Sequence, residues 1–552
     1  MNMTKITTIT TLLIAALTLS PVLAQRSATS NKNATPLDKQ SSAFTILTPT
    51  AEAQNTGEVT RLLQSGTLDD AGKTAVNNYL QRFFFARWTD PENGTEFGKY
   101  RKEVQALVDS ISNPQGKDAL LGLLTTNLYG FANKKDFYPA CRYNAILTLG
   151  DLDAGQADGR PAPYPKALAA LYQAYGKVDT QDTASEAIRL GALLGIRRHV
   201  ILGIANAQTR DGQIATLLMD IVKDTPYVKE ESTDTGSNAI KDLVVVSSNP
   251  FAEKTNEPHR TVELHNWFRY NAIEILGYLA GAGVLTQNTI IDTLLTRIED
   301  QLELPSIRYQ CAYSLSRYNR TIEASPDLLK RTTLALLTLG QVVHDDGIQT
   351  MLDEQSTQQT VGSMSGGMSS GMSGGMSGGM SGGSMGMSPG GMSGMSGSGS
   401  TMGQAQADQI NNSLIQIKDG LSSIIACVQG PDYRSGGLVN SEVVKNTPYH
   451  EVLTALSKTI AECVKFLDEG DPEAAKRAKA AQQTTGAMGG MGSSMSSGMG
   501  MSGTTGAATT TVKNQPKVTM KEIEDRLKIV KSDVERLKNL MNTLDSAVLA
   551  AK

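Results

Sequence analysis

The sequence predicts an all-α fold dominated by a helical repeat, and three observations carry that expectation. Apolar residues recur three and four apart through most of residues 58–343. A nine-residue pattern built around an arginine returns along that stretch. Strand signals are sparse: Leu243-Val244-Val245-Val246 is the one clear run, and it sits in a polar stretch, 224–259, that reads as an inserted loop.

The bulk numbers set the frame. A chain of 552 residues exceeds what one compact core holds. Apolar residues make up 40% and aromatics 5%, so the folded part is expected to be much shorter than the whole. The 51 basic and 55 acidic residues are well mixed, and no basic stripe favours nucleic acid or an anionic membrane.

Residues 1–24 read as a secretory signal. Lys5 supplies a weak basic start, Leu12 to Leu19 an apolar run, and Val22-Leu23-Ala24 the small residues before a cleavage at Gln25. That run is too short to span a bilayer, and no later run approaches twenty apolar residues. An exported chain, periplasmic or extracellular and without a membrane span, is the expectation. Residues 25–57, rich in Ser, Thr, Asn and Ala, read as a disordered leader.

Residues 58–350 read as the repeat domain. Arg142-Tyr143-Asn144-Ala145-Ile146 leads to Leu149-Gly150, and Arg269-Tyr270-Asn271-Ala272-Ile273 leads to Leu276-Gly277, seven identities in nine positions. Arg308, Cys311 and Leu315 make a third copy; Arg189, Ala192 and Ile196 make a weaker fourth. One residue before the arginine is always apolar (Cys141, Ile188, Phe268, Ile307), and three after it is always small. With the seventh, these positions share one helical face, predicted to be buried. The pattern resembles the second helix of HEAT repeats, roughly Pro-x-apolar-Arg-x-x-Ala-x-x-x-Leu-Gly, most closely from Pro139 to Gly150 and from Pro305 to Leu315. The resemblance implies an α-solenoid, an extended surface that binds protein, and a mostly structural arginine bonded to the adjacent repeat. Spacings of 47, 80 and 39 between arginines suit units of about 40–47 residues with one degenerate. The same alignment makes Cys141 and Cys311 core thiols.

Further along, 351–407 reads as a disordered Met/Gly/Ser-rich linker, 408–483 as a small helical module, 484–516 as a second such linker and 517–552 as a coiled coil. The tracts 357–405 and 484–512 within these linkers hold fifteen of the 21 methionines, among them Met364, Met368, Met372, Met376 and Met380 at every fourth residue. A flexible linker is the first reading; capture of Cu(I) by thioethers is the alternative. In the last segment Ile523, Leu527, Val530, Val534, Leu537, Met541, Leu544 and Val548 alternate at spacings of four and three. A homo-oligomer through 517–552 is the simplest consequence; the alternative is an amphipathic helix folded back onto 408–468. Cys427 and Cys463 lie on successive predicted helices, where a bridge is possible.

No catalytic set emerges. Gly66 to Thr74 resembles a phosphate loop but has five residues between its glycines, two of them acidic, and reads as a junction between helices. Gly371 to Gly375 matches GxSxG only within low complexity. The five histidines show no zinc spacing. The sequence therefore points to a non-catalytic, cofactor-free protein-binding scaffold, with envelope copper handling as an alternative and an enzyme on a helical-repeat fold as a third.

Overall fold

The computed structural model describes residues 49–66, 68–89, 94–177, 182, 184–225, 227–229, 244–246, 262–366, 401–430, 437–469 and 520–550. The expected signal, most of the expected leader, most of the first methionine-rich linker and all of the second lie outside them. The described residues are predominantly helical and fall into two compact units, 1–293 and 294–552.

The first unit begins with α1 (Pro49–Gln64) and α2 (Asp70–Tyr79). Helix α1 starts nine residues before Glu58, so residues 49–57, expected as part of the leader, are helical. Val59 and Leu63 are buried and anchor the helix, and Thr56 Oγ1 meets the Tyr79 hydroxyl at 2.7 Å. The stretch that resembled a phosphate loop is the turn between these helices: Asp69 caps α2 by accepting the Gly72 N–H at 2.7 Å. A π-helical turn, Leu80–Phe84, then leads into a cluster of edge-packed rings around Phe85 and Trp88.

After α3 (Phe97–Asp109) the helices come in pairs: α4 (Pro114–Asn133) with α5 (Pro139–Asp151), and α6 (Pro165–Gly176) with α7 (Ser185–Leu202). The third pair is α8 (Ala215–Lys223) with α9 (Val262–Gly277). Proline opens α4, α5 and α6 at the first turn, where its missing N–H costs nothing. Asn113 caps α4 by accepting the Gln115 and Gly116 N–H groups at 2.9 and 3.2 Å. Second helices pack on second helices: Gly150 of α5 faces Gly195 of α7, and a Cβ on Gly150 would lie 2.8 Å from the Gly195 Cα. The glycines let the two backbones cross at a distance that side chains would prevent.

Two hairpins interrupt the helices. Between α5 and α6, β1 (Asp153–Ala157) pairs antiparallel with β2 (Arg160–Pro163) around Asp158-Gly159, both at positive φ. That Asp-Gly turn was a readable signal; the helical pattern before it and the prolines after it masked the short strands. In the inserted stretch, β4 (Val244–Val246) pairs with β3 (Tyr227–Lys229), so the valine run is a strand.

The second unit departs most from expectation. The boundary at Thr293/Leu294 falls inside α10 (Val284–Glu299), so the span 58–350 is not one compact unit. Helix α11 (Pro305–Leu315) and the short α12 (Asn319–Glu323) lead into α13 (Pro326–Gly366). Next come α14 (Thr401–Gln429), the short α15 (Glu442–Lys445), α16 (Tyr449–Glu469) and α17 (Met520–Ala550). Helices therefore cover 351–366 and 401–407, parts of the expected first linker. Helices α13, α14, α16 and α17 close a ring in which each packs on the next. Its registers are all antiparallel. Gly347 and Gly420 of α13 and α14 lie against Ile417 and Val343 respectively. Lys418 pairs with Asp468, and Gln429 donates to Ser457. Thr459 donates to Asp533, and Arg526 lies over the Phe466 ring. Gly340 and Gly347 meet Val534 and Leu527. This is an up-down-up-down four-helix bundle.

The expected oligomerising seam is consequently occupied within the chain. Ile523, Leu527, Val530, Val534, Leu537 and Met541 are buried against α13 and α16, while Leu544 is half-buried. The side chain of Val548 lies outside the described residues. The module, the coil and the end of the expected repeat domain fold as one bundle because each alone leaves an apolar face uncovered.

Candidate functional site

The feature that recurs is an arginine clasp. Each repeat arginine sits in the second helix of a pair and donates its Nε–H to the carbonyl of the next-to-last residue of the first. Arg142 reaches Ala132 O at 2.9 Å, Arg189 reaches Tyr175 O at 3.1 Å, Arg269 reaches Val222 O at 3.2 Å and Arg308 reaches Ile298 O at 2.8 Å. Carbonyls at a helix C-terminus have no partner within their own helix, and the local dipole favours a cation there. The partner is the first helix of the same pair, whereas the resemblance implied the adjacent repeat. The bond forms across sequence separations of 10, 14, 47 and 10 residues, so the loops do not determine it.

All four arginines are buried, as are the positions one before, three after and seven after each. These include Ala145 and Leu149, Ala192 and Ile196, Ala272 and Leu276, and Cys311 and Leu315.

The outer nitrogens differ. Arg142 forms a two-pronged pair with Asp182, with Nη1 at 2.7 Å from Oδ1. Desolvation raises the Asp182 carboxyl, but the Arg142 guanidinium and the Ala184 N–H outweigh it and hold the group below its ordinary value. Arg189 binds Glu186 at 3.0 Å and lies over the rings of Tyr175 and Phe268, at 4.7 and 5.8 Å. Arg269 adds a second bond to Val222 O and one to Asn266 Oδ1.

The remaining candidates are set apart from one another. Cys141, Cys311, Cys427 and Cys463 are all free and buried, so Cys427 and Cys463 are not bridged. Burial pushes the Cys141 and Cys427 thiols up to about 12 and Cys463 to about 11, with Arg142 and Arg526 opposing at the first and last. Such thiols are poor nucleophiles at neutral pH. His199 is buried, and desolvation with the Arg198 charge lowers it to about 4. His265 Nε2 meets Asp224 O at 2.7 Å, and His344 Nδ1 meets Asp345 at 2.7 Å. Among the described residues no group of three or more His, Cys, Asp or Glu is placed to hold a metal, and no helix is long and apolar enough to cross a membrane. Met364 lies in the last turns of α13; Met368, Met372, Met376 and Met380 lie outside the described residues.

No protein-family model, no curated protein and no solved structure matches the chain.

Sequence reasoning offered the fold-back of 517–552 onto 408–468 only as an alternative, and that packing is present; it missed the part that α13 plays in the bundle and the carboxylate partner of Arg142. Asp182 stands forty residues from its arginine, in a loop without periodicity, so nothing local marks it.

Proposed function

We propose that this chain is an exported, non-catalytic protein-binding scaffold, periplasmic or extracellular, with HEAT-like helical pairs as its binding surface. The observation that carries this reading is the arginine clasp. One hydrogen bond of one geometry, repeated in four helix pairs joined by unlike loops, is what a repeated structural unit requires. Repeats of this kind work through the surface that their helices present side by side. The resemblance to HEAT repeats and the signal-like N-terminus support the same conclusion. No cofactor enters it.

The test is site-specific photo-crosslinking in cell-envelope extract. A crosslinking residue replaces Ile201 or Tyr270, both exposed on second helices of the first unit. A single protein partner, crosslinked from these positions and not from a position in α1, is expected. Crosslinks only to the chain itself, or none, would overturn the scaffold.

A second reading, Cu(I) capture by the methionine-rich segments, is favoured by one feature of the bundle. The chain leaves after Gly366 and Glu469 and returns at Thr401 and Met520, and the antiparallel registers put all four points at one end. The segments that carry the methionines are thus tethered side by side. Loss of copper tolerance on deleting 367–400, with the bundle intact, would support this reading over the first.

A further inference from the structure

A tyrosine follows the repeat arginine in three of the four copies, as Tyr143, Tyr270 and Tyr309. Over two of these rings lies a helix of the same chain, and each time it presents a glycine. Gly191 of α7 lies over Tyr143: a Cβ there would stand 3.2 Å from the ring carbon Cε2. Gly420 of α14 lies over Tyr309: a Cβ there would stand 2.9 Å from Cζ. Tyr309 is buried as a result, and its hydroxyl donates to Asp346 Oδ2 of α13 at 3.3 Å. Tyr270, the same position on α9, is 37% exposed.

Tyr270 belongs to an apolar stripe. Arg197 pairs with Glu274 at 2.6 Å and Arg189 lies over the Phe268 ring, so α7 and α9 run side by side and parallel. Offsets of −2, +1, +5 and +12 residues from the arginine fall within about 60° of one another at 3.6 residues per turn. They bring Leu190, Leu194 and Ile201 of α7 to the same side as Trp267 and Tyr270 of α9. Ile201 and Tyr270 are exposed, and the other three are half-buried. Glu274 shares the stripe, but its charge is paired with Arg197.

We infer that this stripe receives one α-helix of a protein partner, seated on Tyr270 through a glycine. The chain covers the equivalent tyrosine in this way twice, from helices as unlike in sequence as α7 and α14. A glycine lets the incoming backbone lie on the ring, where a larger side chain would hold it off. The facing side of that helix is apolar and uncharged, because a charge laid on the stripe would lose water and find no counter-ion there. This inference rests on the scaffold reading and narrows its partner to a helix.

The probe is a fluorescein-labelled synthetic peptide of residues 414–429, the part of α14 that carries Gly420, kept reduced and titrated with the full chain. Fluorescence anisotropy is expected to show saturable binding, and far-UV circular dichroism a gain in helix as the peptide folds onto the stripe. Tyr270→Asp and Ile201→Asp in the chain, and Gly420→Val in the peptide, should each weaken binding about tenfold or more. Leu285→Asp, at an exposed leucine of α10 outside the stripe, should leave it unchanged. Ile201→Asp decides the matter if Tyr270→Asp does not fold. No saturable binding, or binding indifferent to both stripe variants, as exchange with α14 itself would give, overturns the inference. If crosslinks from positions 201 and 270 to a single envelope protein still form in that case, the scaffold stands and only its helical partner is lost; if they are absent too, both readings fall.

Discussion

Single residues in this chain act mainly by satisfying helix ends. Arg269 illustrates the energetics: two of its nitrogens share Val222 O, and the guanidinium is buried. Arg269→Met removes the donor and leaves a buried carbonyl without its charged partner. The expected loss is roughly 2–4 kcal/mol of unfolding free energy, read by urea denaturation. Arg269→Lys should recover little of it, because an ammonium lacks the fork. Asp182 supplies a pH signature. Its folded value lies below the ordinary 3.8, so its contribution is present above that value and is lost as pH falls through the folded one. Asp182→Asn should flatten that part of an acid-unfolding profile and lower stability at neutral pH. An unchanged acid limb would show that the Arg142 pair carries no net stability. The four arginines were legible in the sequence because their neighbours repeat. Their acceptors were not, because a carbonyl carries no sequence label.

At the scale of elements, glycine placement decides how the helices meet. Gly150 and Gly195 bring the α5 and α7 backbones together, and any larger side chain must push them apart. Gly150→Val is therefore expected to cost about 1–3 kcal/mol, more if the helices cannot separate. Gly130, in the interior of α4, has nothing within 4 Å of where a Cβ would stand. Gly130→Ala should thus be neutral or stabilising by about 0.5–1 kcal/mol, since only helix propensity changes. Thermal unfolding of the two variants side by side separates close approach from propensity: two variants destabilised alike would refute the packing argument. The motif Leu149-Gly150 was visible in the sequence, but the glycine opposite it was not. Gly195 stands six residues after its own arginine, whereas Gly150 stands eight after, so no alignment pairs them.

At the scale of the whole molecule, the bundle changes what the C-terminal helix is for. Val534 lies against Gly340 and is fully buried within the chain. Val534→Asp should therefore destabilise the second unit by about 3 kcal/mol or more. Sedimentation velocity should show an unchanged association state at concentrations where the variant is still folded. Dissociation of a native oligomer by this substitution would return the seam to a role between copies. The long linker from α13 to α14 starts and finishes at the same end of the bundle, so its length is not needed to close the fold. Replacing 367–400 with about ten Gly/Ser residues should leave the bundle intact and raise its stability by roughly 1 kcal/mol through cheaper loop closure. A substantial loss on chemical denaturation would show that the segment contributes contacts.

What the sequence determined by itself is local or periodic. Proline and asparagine start the helices, apolar spacing sets the buried faces, and a repeated nine-residue pattern names the arginines and their neighbours. These follow from rules that act within one or two helical turns. What only the tertiary structure decided is which faces meet. The alternation in 517–552 describes a stripe that must be covered, and a second copy or a distant helix of the same chain would cover it equally well. Helix α13 settles that choice: it begins as a continuation of the paired helices and runs on to offer Gly340 and Gly347 to α17. Linkers of this length barely oppose the closure, because loop entropy grows only with the logarithm of length. Burial of the seam within the chain therefore wins by proximity, a quantity that no residue pattern encodes.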